Sequence, residues 1–448
     1  MTTAPQTTTS RPSPWLEATA GEAAAPPLAG ERRVDVAVIG AGYTGLGAAL
    51  ALRAEGLSVA IAERETAGFG ASGRNAGHLT PTIGKDLPTL LALFGRERAS
   101  AFVRLAEAAI AHVERWIAEH AIACAYEPVG NVMAAVHASQ ERRLERAARV
   151  AAELGARAEW LDGAAMRKRG LPEAFTAGVL ESAGGILQPA LYARGLRRAA
   201  LAAGAELYEN TPVLRIDEGP RVALATPGGR LVADRVVVAT NAYTPELGLL
   251  RRAVLPLRVT LFRTEPLTRA QRERIDWRGR EGIYTAHEML ESYRLDADGR
   301  IVGGSKSVRV RFGGGVPEEH DDVATRALLE RTLRERFPGL DVPIERFWGG
   351  PIAFALDFLP AMGVTGRFRN LYYALSYAGH GLALASYAGT ALADWIAGRE
   401  GPGRILHERW RPPLPPEPLR WLVVKALTGG LRAVDARVDR RVRAAQRG

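Results

Sequence analysis

Cysteine is almost missing from this chain: Cys124 is the only one in 448 residues. A single thiol excludes an internal disulfide and a thiolate-rich metal site, and no metal ion is expected. Its simplest role is that of a small buried hydrophobe. Lysine is scarce too. Lys85, Lys168, Lys306 and Lys425 are the only ones among 59 basic residues, so arginine carries most of the formal net charge of +10. The basic residues are scattered except between Arg432 and Arg447, and no nucleic-acid-binding motif accompanies them, so no nucleic-acid partner is expected. No apolar run approaches the ~20 residues of a membrane span. The stretch from Met1 to Pro14 is rich in Thr, Ser and Pro and lacks the apolar core of a signal peptide. These absences point to a cytoplasmic protein. No internal repeat is visible, and 47% hydrophobic with 24% charged residues is ordinary for a globular chain of two or three domains.

What is present begins at Val34. The run Val34–Ile39 is a buried-strand pattern, followed by Gly40-Ala-Gly42-Tyr-Thr-Gly45, a helical stretch to Glu55, and a second strand pattern that ends at Glu63. This is the order of a dinucleotide-binding βαβ unit. Gly40 permits the tight turn, Gly42 lets a pyrophosphate approach the backbone, and Gly45 lets the helix lie close to the sheet. The helix start at Tyr43 and Thr44 offers N–H groups to phosphates. Glu63 stands where a carboxylate accepts the ribose hydroxyls, which disfavours a 2′-phosphate and hence NADP. The unit by itself does not separate NAD from FAD.

Further along, a polar glycine-rich loop runs from Gly68 to His78. Helical spacing covers 86–122 and 138–154, and a third helix, about 190–203, ends at Gly204. A strand is expected over Asn131–Val136. Arg235–Asn241 has the apolar character of a central parallel strand. Residues 255–312 alternate as an antiparallel sheet, a helix follows at roughly 321–337, and a second glycine turn leads into a helix from Leu382 to Ile396. The expected fold is α/β. A discontinuous Rossmann-like domain (33–85, 150–250 and 340–400) carries an inserted antiparallel-sheet, α+β substrate domain (86–149 and 251–339). Residues 1–32 are expected to be a flexible lead-in whose Trp15-Leu16 docks on the body of the protein. Residues 401–448 are expected to form a proline-rich connector and a basic helix, interrupted at Gly429-Gly430. A basic amphipathic helix suits either an anionic membrane surface or packing on its own domain or a subunit partner.

Six segments in this order resemble the D-amino-acid-oxidase-like superfamily of FAD-dependent oxidoreductases, and within it the gamma-glutamylputrescine oxidoreductase branch. They are Gly40–Gly45 with Glu63, Gly70-Ala-Ser-Gly-Arg-Asn-Ala-Gly77, Val237–Tyr243, Tyr293–Gly299, Trp348–Phe354 running to Pro360, and Tyr377-Ala-Gly-His-Gly381. The resemblance spans roughly residues 15–400. It implies noncovalent FAD. The adenosine half falls to Gly40, Gly42, Tyr43, Thr44, Gly45, Glu63, Arg64, Val213, Thr240 and Asn241. The reactive ring falls to Ala71, Ser72, Gly73, Arg74, Asn75, Gly77, Gly379, His380 and Gly381.

The resemblance also implies the reaction. A small amine or amino acid loses hydride to the flavin, and the resulting imine hydrolyses. Oxygen or an electron carrier takes the electrons. His78, Tyr293 and His380 are the catalytic candidates, and Lys306 is the candidate oxygen activator. Tyr284 and His287 lie nearby in sequence, and Arg294 and Arg309 are candidate carboxylate clamps. Two alternatives are an amino-acid dehydrogenase that delivers electrons to a quinone and a non-catalytic flavin-binding protein.

Overall fold

In the computed structural model, residues 13–318, 322–407 and 411–446 are described. The first sheet grows from the glycine-turn unit. Gly30–Ile39 pairs in parallel with Val59–Ala62 on one side and Gly229–Val238 on the other. Glu206–Tyr208 and Leu371–Leu375 extend it in parallel, and Ala361–Thr365 closes one edge antiparallel. From Val36 on, the first strand is apolar on both sides because both sides are covered. Val36 and Val38 join one core, while Ala37 and Ile39 join another. The first core is made with the helices Tyr43–Ala54, Pro189–Ala202 and Gly381–Ile396. On the opposite face the hairpin Val222–Thr226 with Gly229–Val238 brings in Leu224 and Leu231.

Two of these helices nearly touch. A Cβ on Gly389 would lie 2.5 Å from both the Thr44 carbonyl oxygen and the Ala48 nitrogen. Glycine there lets Tyr43–Ala54 and Gly381–Ile396 cross closely, which sets their N-termini, and so the two glycine turns, side by side.

The second sheet has eight strands in the order Ile344–Phe354, Leu255–Thr264, Ile301–Ser305, Glu291–Leu295, Gly282–Thr285, Asn131–Ala135, Ala177–Glu181 and Ala158–Leu161. It is antiparallel apart from the Gly282–Thr285 pairing with Asn131–Ala135. Three segments depart from the expected domain boundaries. Ala158–Leu161 and Ala177–Glu181 belong to this sheet, and so does Ile344–Phe354, paired with Leu255–Thr264 along almost its whole length. Conversely, Leu105, Ile110 and Val113 of the helix Leu87–Glu119 join the first core. Local periodicity identifies a strand or a helix but does not say which sheet it serves.

In the lead-in Trp15 and Leu16 dock on the body, Trp15 being 4% exposed and meeting Trp348 edge-on at 5.8 Å, while most of residues 17–27 are exposed. Residues 1–12 lie outside the described residues, as does Arg447 of the basic cluster. The C-terminal end differs from expectation. The C-terminal helix Leu419–Ala445 runs unbroken through Gly429 and Gly430. The two glycines cost roughly 2 kcal/mol of helix propensity, and tertiary packing of Val424, Asp435, Asp439 and Val442 offsets it. Among the described residues, no helix is long and apolar enough to cross a membrane.

Candidate functional site

A cavity of about 600 Å³ lies between the two sheets. At one end Gly40, Gly42, Tyr43 and Thr44 line it, with Glu63 and Arg64 from the end of the second strand and Val213, Thr240 and Asn241 beyond. Gly40 adopts φ +99°, a conformation that favours glycine. Gly45 does not line the cavity. A Cβ there would lie 1.9 Å from the Gly40 carbonyl oxygen, so its role is to close the turn. Gly42, the N-cap, offers no capping side chain. Ser72 Oγ accepts from Tyr43 N at 3.0 Å, so the loop caps the helix start beside the cavity, where the helix dipole still favours an anion. Glu63 is half-buried, and desolvation raises its carboxyl above the usual range even as the Ala41 and Glu65 amides donate to it at 2.7 and 3.0 Å.

The middle of the cavity is the loop. Ala71, Ser72, Arg74, Asn75, Gly77 and His78 line it, whereas Gly73 packs against Leu16. The loop is shaped by its own side chains. The Asn75 amide nitrogen donates to Ala71 O at 3.1 Å and Ser72 O at 3.0 Å, and its oxygen accepts from Gly77 N at 2.9 Å. Arg74 is a buried strut that donates to Phe69 O at 2.8 Å and Gly349 O at 3.1 Å. Trp348 Nε1 donates back to Arg74 O at 2.9 Å. From the other side come Gly379, His380 and Gly381 at the start of the second crossing helix. The approach is tight: Ser376 and Ala378, both non-glycine, have φ +63° and +51°.

Burial favours the neutral form of the two cavity histidines, His78 and His380. Burial pulls His78 down to about 4, with its bond to Asn131 opposing and Arg294 assisting the shift. The Asn131 amide nitrogen is committed to Leu79 O and Gly185 O, so its oxygen accepts from His78 Nδ1 at 3.0 Å. That assigns the proton to Nδ1 and leaves Nε2 a buried acceptor without a protein partner among the described residues. His380, also drawn down to about 4 by burial, is held by Thr82 Oγ1 at 2.5 Å.

Beyond the loop the second sheet supplies the wall, and here two candidates are misplaced. Ser292 faces the cavity, but Tyr293 does not: it is 1% exposed and donates to Glu291 Oε2 at 3.0 Å. Likewise Ser305 lines the cavity and Lys306 does not. Strand side chains alternate, so one residue of register decides the face. His287, Arg294 and Arg309 are also absent from the lining. Arg294 instead lies under the loop, donating to Ala76 O at 2.5 Å with its guanidinium over Trp15.

Lys306 belongs to a buried charge cluster. Its Nζ meets Glu291 Oε1 at 2.5 Å and Asp439 Oδ2 at 3.1 Å, and Arg336 meets the same two carboxylates at 2.9 Å. Arg336, Lys306 and His287 hold Glu291 down at about 2 against its burial. Glu291, Asp439 and His287 bring ligand atoms within 4.8 Å of one another, but Lys306 and Arg336 already supply the positive charge there. Asp439 comes from the C-terminal helix, so this cluster anchors that helix to the sheet.

Sequence reasoning missed the anchored helix as a wall of the site. Val423, Val424, Leu427, Thr428 and Leu431 line the cavity, together with Ile352, Phe354 and Phe358 of the Trp348–Pro360 segment. The helical spacing of 424, 427, 428 and 431 was the available signal for a buried face. Tyr284 also lines the cavity, and its hydroxyl is held by Glu181, whose carboxyl burial pushes up to about 7.

The residues present fit a dinucleotide with a reactive ring: a glycine turn at a helix start, an acidic strand end, a backbone-lined loop and a second turn share one continuous cavity. The comparisons agree. The family description "FAD dependent oxidoreductase" (DAO) matches residues 35–395. Gamma-glutamylputrescine oxidoreductase of Escherichia coli is 29% identical over 374 residues, 81% of this chain and 84% of that protein. "Probable oxidoreductase OrdL" of Rhizobium meliloti is 30% identical over 400 residues, 86% of this chain and 88% of that protein. The crystal structure of glycine oxidase from Geobacillus kaustophilus shares the fold at a TM-score of 0.70 and 22% identity, covering 82% of this chain and 96% of that one. With its family segment spanning both sheets and the cavity between them, the chain belongs to the DAO family of FAD-dependent oxidoreductases.

Proposed function

We propose that the enzyme oxidises the C–N bond of an amine or amino acid, and that its best substrates are amines with no carboxylate on the reacting carbon, gamma-glutamylputrescine among them. One observation carries this reading. Among the described residues, no lysine lines the cavity, and its two lining arginines are committed elsewhere. Arg74 is the loop strut, and Arg64 pairs with Glu246 at 3.0 Å and covers Tyr243. Among the described residues no other arginine or lysine lines the cavity near His78 and Tyr284 to clamp an α-carboxylate, since Arg294, though it acts on His78, lies outside the lining.

FAD, when bound, accepts the hydride that leaves the amine carbon. Gly40, Gly42, Tyr43, Thr44, Glu63, Arg64, Val213, Thr240 and Asn241 would hold its adenosine and pyrophosphate. The segments Ala71–Gly77 and Gly379–Gly381 would hold its ring. The protein's own contribution is binding and proton placement. The wall formed by Ile352, Phe354, Phe358 and Leu427 desolvates the substrate, which disfavours the ammonium and frees the nitrogen lone pair. His78 Nε2 is an acceptor for the amine N–H, and Tyr284, held by Glu181, orients the substrate from the sheet side. Loss of hydride leaves an imine, and water then releases a carbonyl compound and the smaller amine or ammonia.

Anaerobic bleaching of the flavin band near ~450 nm tests this with gamma-glutamylputrescine, an N-methyl amine, glycine and a D-amino acid. The expected order places the amines first; bleaching by α-amino acids alone would overturn it. The electron acceptor has a second reading, a quinone or protein carrier rather than oxygen. The burial of Lys306 in an ion cluster, away from the cavity, favours it. Hydrogen peroxide formed in equal amount to oxidised substrate would exclude it.

A further inference from the structure

We infer that the C-terminal helix docks the enzyme on an anionic lipid surface, with the cavity mouth at the docked face. The helix is sided. Arg420, Val424, Asp435, Asp439 and Val442 are buried against the body of the enzyme. On the outer side Leu419 is 52% exposed, Leu422 53%, Val423 40% and Leu427 44%, beside Phe312 at 60%. That is an apolar patch which the enzyme's own packing does not use. Val423 and Leu427 also line the cavity, so the patch surrounds its opening.

Charge selects the occupant. The helix Leu419–Ala445 carries seven basic residues and two acidic ones. Both acids turn inward: Asp435 accepts from the Glu288 and Met289 amides at 2.8 and 2.9 Å, and Asp439 meets Arg336 and Lys306. Lys425, Arg432, Arg437, Arg440 and Arg441 are exposed. The outer face of this helix is therefore apolar over its first half and cationic toward its end, which is the pattern of an interfacial helix on anionic lipid. A second copy docked symmetrically on this face would set these cations against one another.

The test is co-sedimentation of the full-length, flavin-loaded enzyme with phosphatidylcholine vesicles, with and without phosphatidylglycerol. Binding is expected only with phosphatidylglycerol, and high salt should release it. Arg440→Gln with Arg441→Gln should lower the partition coefficient roughly twenty-five-fold, at about five-fold per cation. Leu419→Ser with Leu422→Ser, which do not line the cavity, should lower it more than about ten-fold. Both double variants should keep the flavin band and the bleaching rate with a water-soluble amine. No binding, equal binding to neutral vesicles, or binding insensitive to both double variants overturns the inference. So does a dimer in solution that Leu422→Ser dissociates, since that gives the face to a second copy.

Discussion

The turn Gly40–Gly45 and the strand Glu291–Leu295 both border the cavity, yet they present themselves in opposite ways. In the turn, function follows from a missing atom: a Cβ on Gly45 would strike the Gly40 carbonyl oxygen at 1.9 Å. The constraint is local and visible in six consecutive residues. In the strand, Ser292 faces the cavity and Tyr293, its neighbour, faces a buried ion cluster. The strand's constraint is non-local, because pairing with Ile301–Ser305 and packing of the C-terminal helix decide which side of the strand is which.

The largest expected effect lies in the turn. Gly45→Val should abolish FAD retention, giving a purified protein without the ~450 nm band; a yellow, fully loaded variant would show that the close approach is dispensable. Next comes the ion cluster. Glu291→Gln leaves Arg336 and Lys306 short of a carboxylate, and breaking such a buried pair costs about 3–5 kcal/mol, readable as a lower urea midpoint. Lys306→Met should likewise destabilise the fold, while the rate of oxygen consumption per bound flavin stays unchanged. A fall in that rate with stability intact would return Lys306 to catalysis.

Acid should also weaken the fold. The folded values of His78 and His380 lie at about 4, below the usual 6.5. The unfolded chain therefore binds these protons first, and the stability contribution, complete above pH 6.5, is lost as pH falls toward 4. A fully realised shift is worth ~3 kcal/mol per histidine. Glu291 acts with the same sign lower down, losing its contribution as pH falls from 4.5 through about 2. Urea midpoints measured across this range should drop, and His78→Asn should flatten the upper part of the decline.

The smallest effect sharpens the contrast within the strand. Tyr293→Phe removes one buried hydroxyl bond and should cost about 1 kcal/mol of stability with amine-driven bleaching unaltered. Ser292→Val should alter the bleaching rate with little change in stability. The reverse pattern would mean that the strand faces the other way.

Much of the cofactor end was legible in sequence because each of its devices is short-range. Gly40, Gly42 and Gly45 answer to the geometry of one turn, Glu63 to the end of the next strand, and Asn75 largely to hydrogen bonds within two to four residues of itself, with one to the Tyr43 hydroxyl besides. The substrate end was not legible in this way. Lys306 is a candidate oxygen activator only as the one lysine near the right strand, but carboxylates from the neighbouring strand and from the distant C-terminal helix hold it elsewhere. Ile344–Phe354 reads as part of the first domain in sequence but pairs in the second sheet, because strand periodicity carries no address.

By itself, then, the sequence determined a dinucleotide cradle and the mix of parallel and antiparallel strands, while FAD over NAD was implied by the family resemblance of six ordered segments. Those depend on backbone conformation and side-chain period, which neighbours along the chain impose. Only the tertiary structure decided which residues of the second sheet look into the cavity and that the C-terminal helix closes one side of it. It also decided that no lysine reaches the lining among the described residues. These depend on register and on buried charge pairing between segments more than a hundred residues apart, such as Lys306 with Asp439, and no local pattern records them.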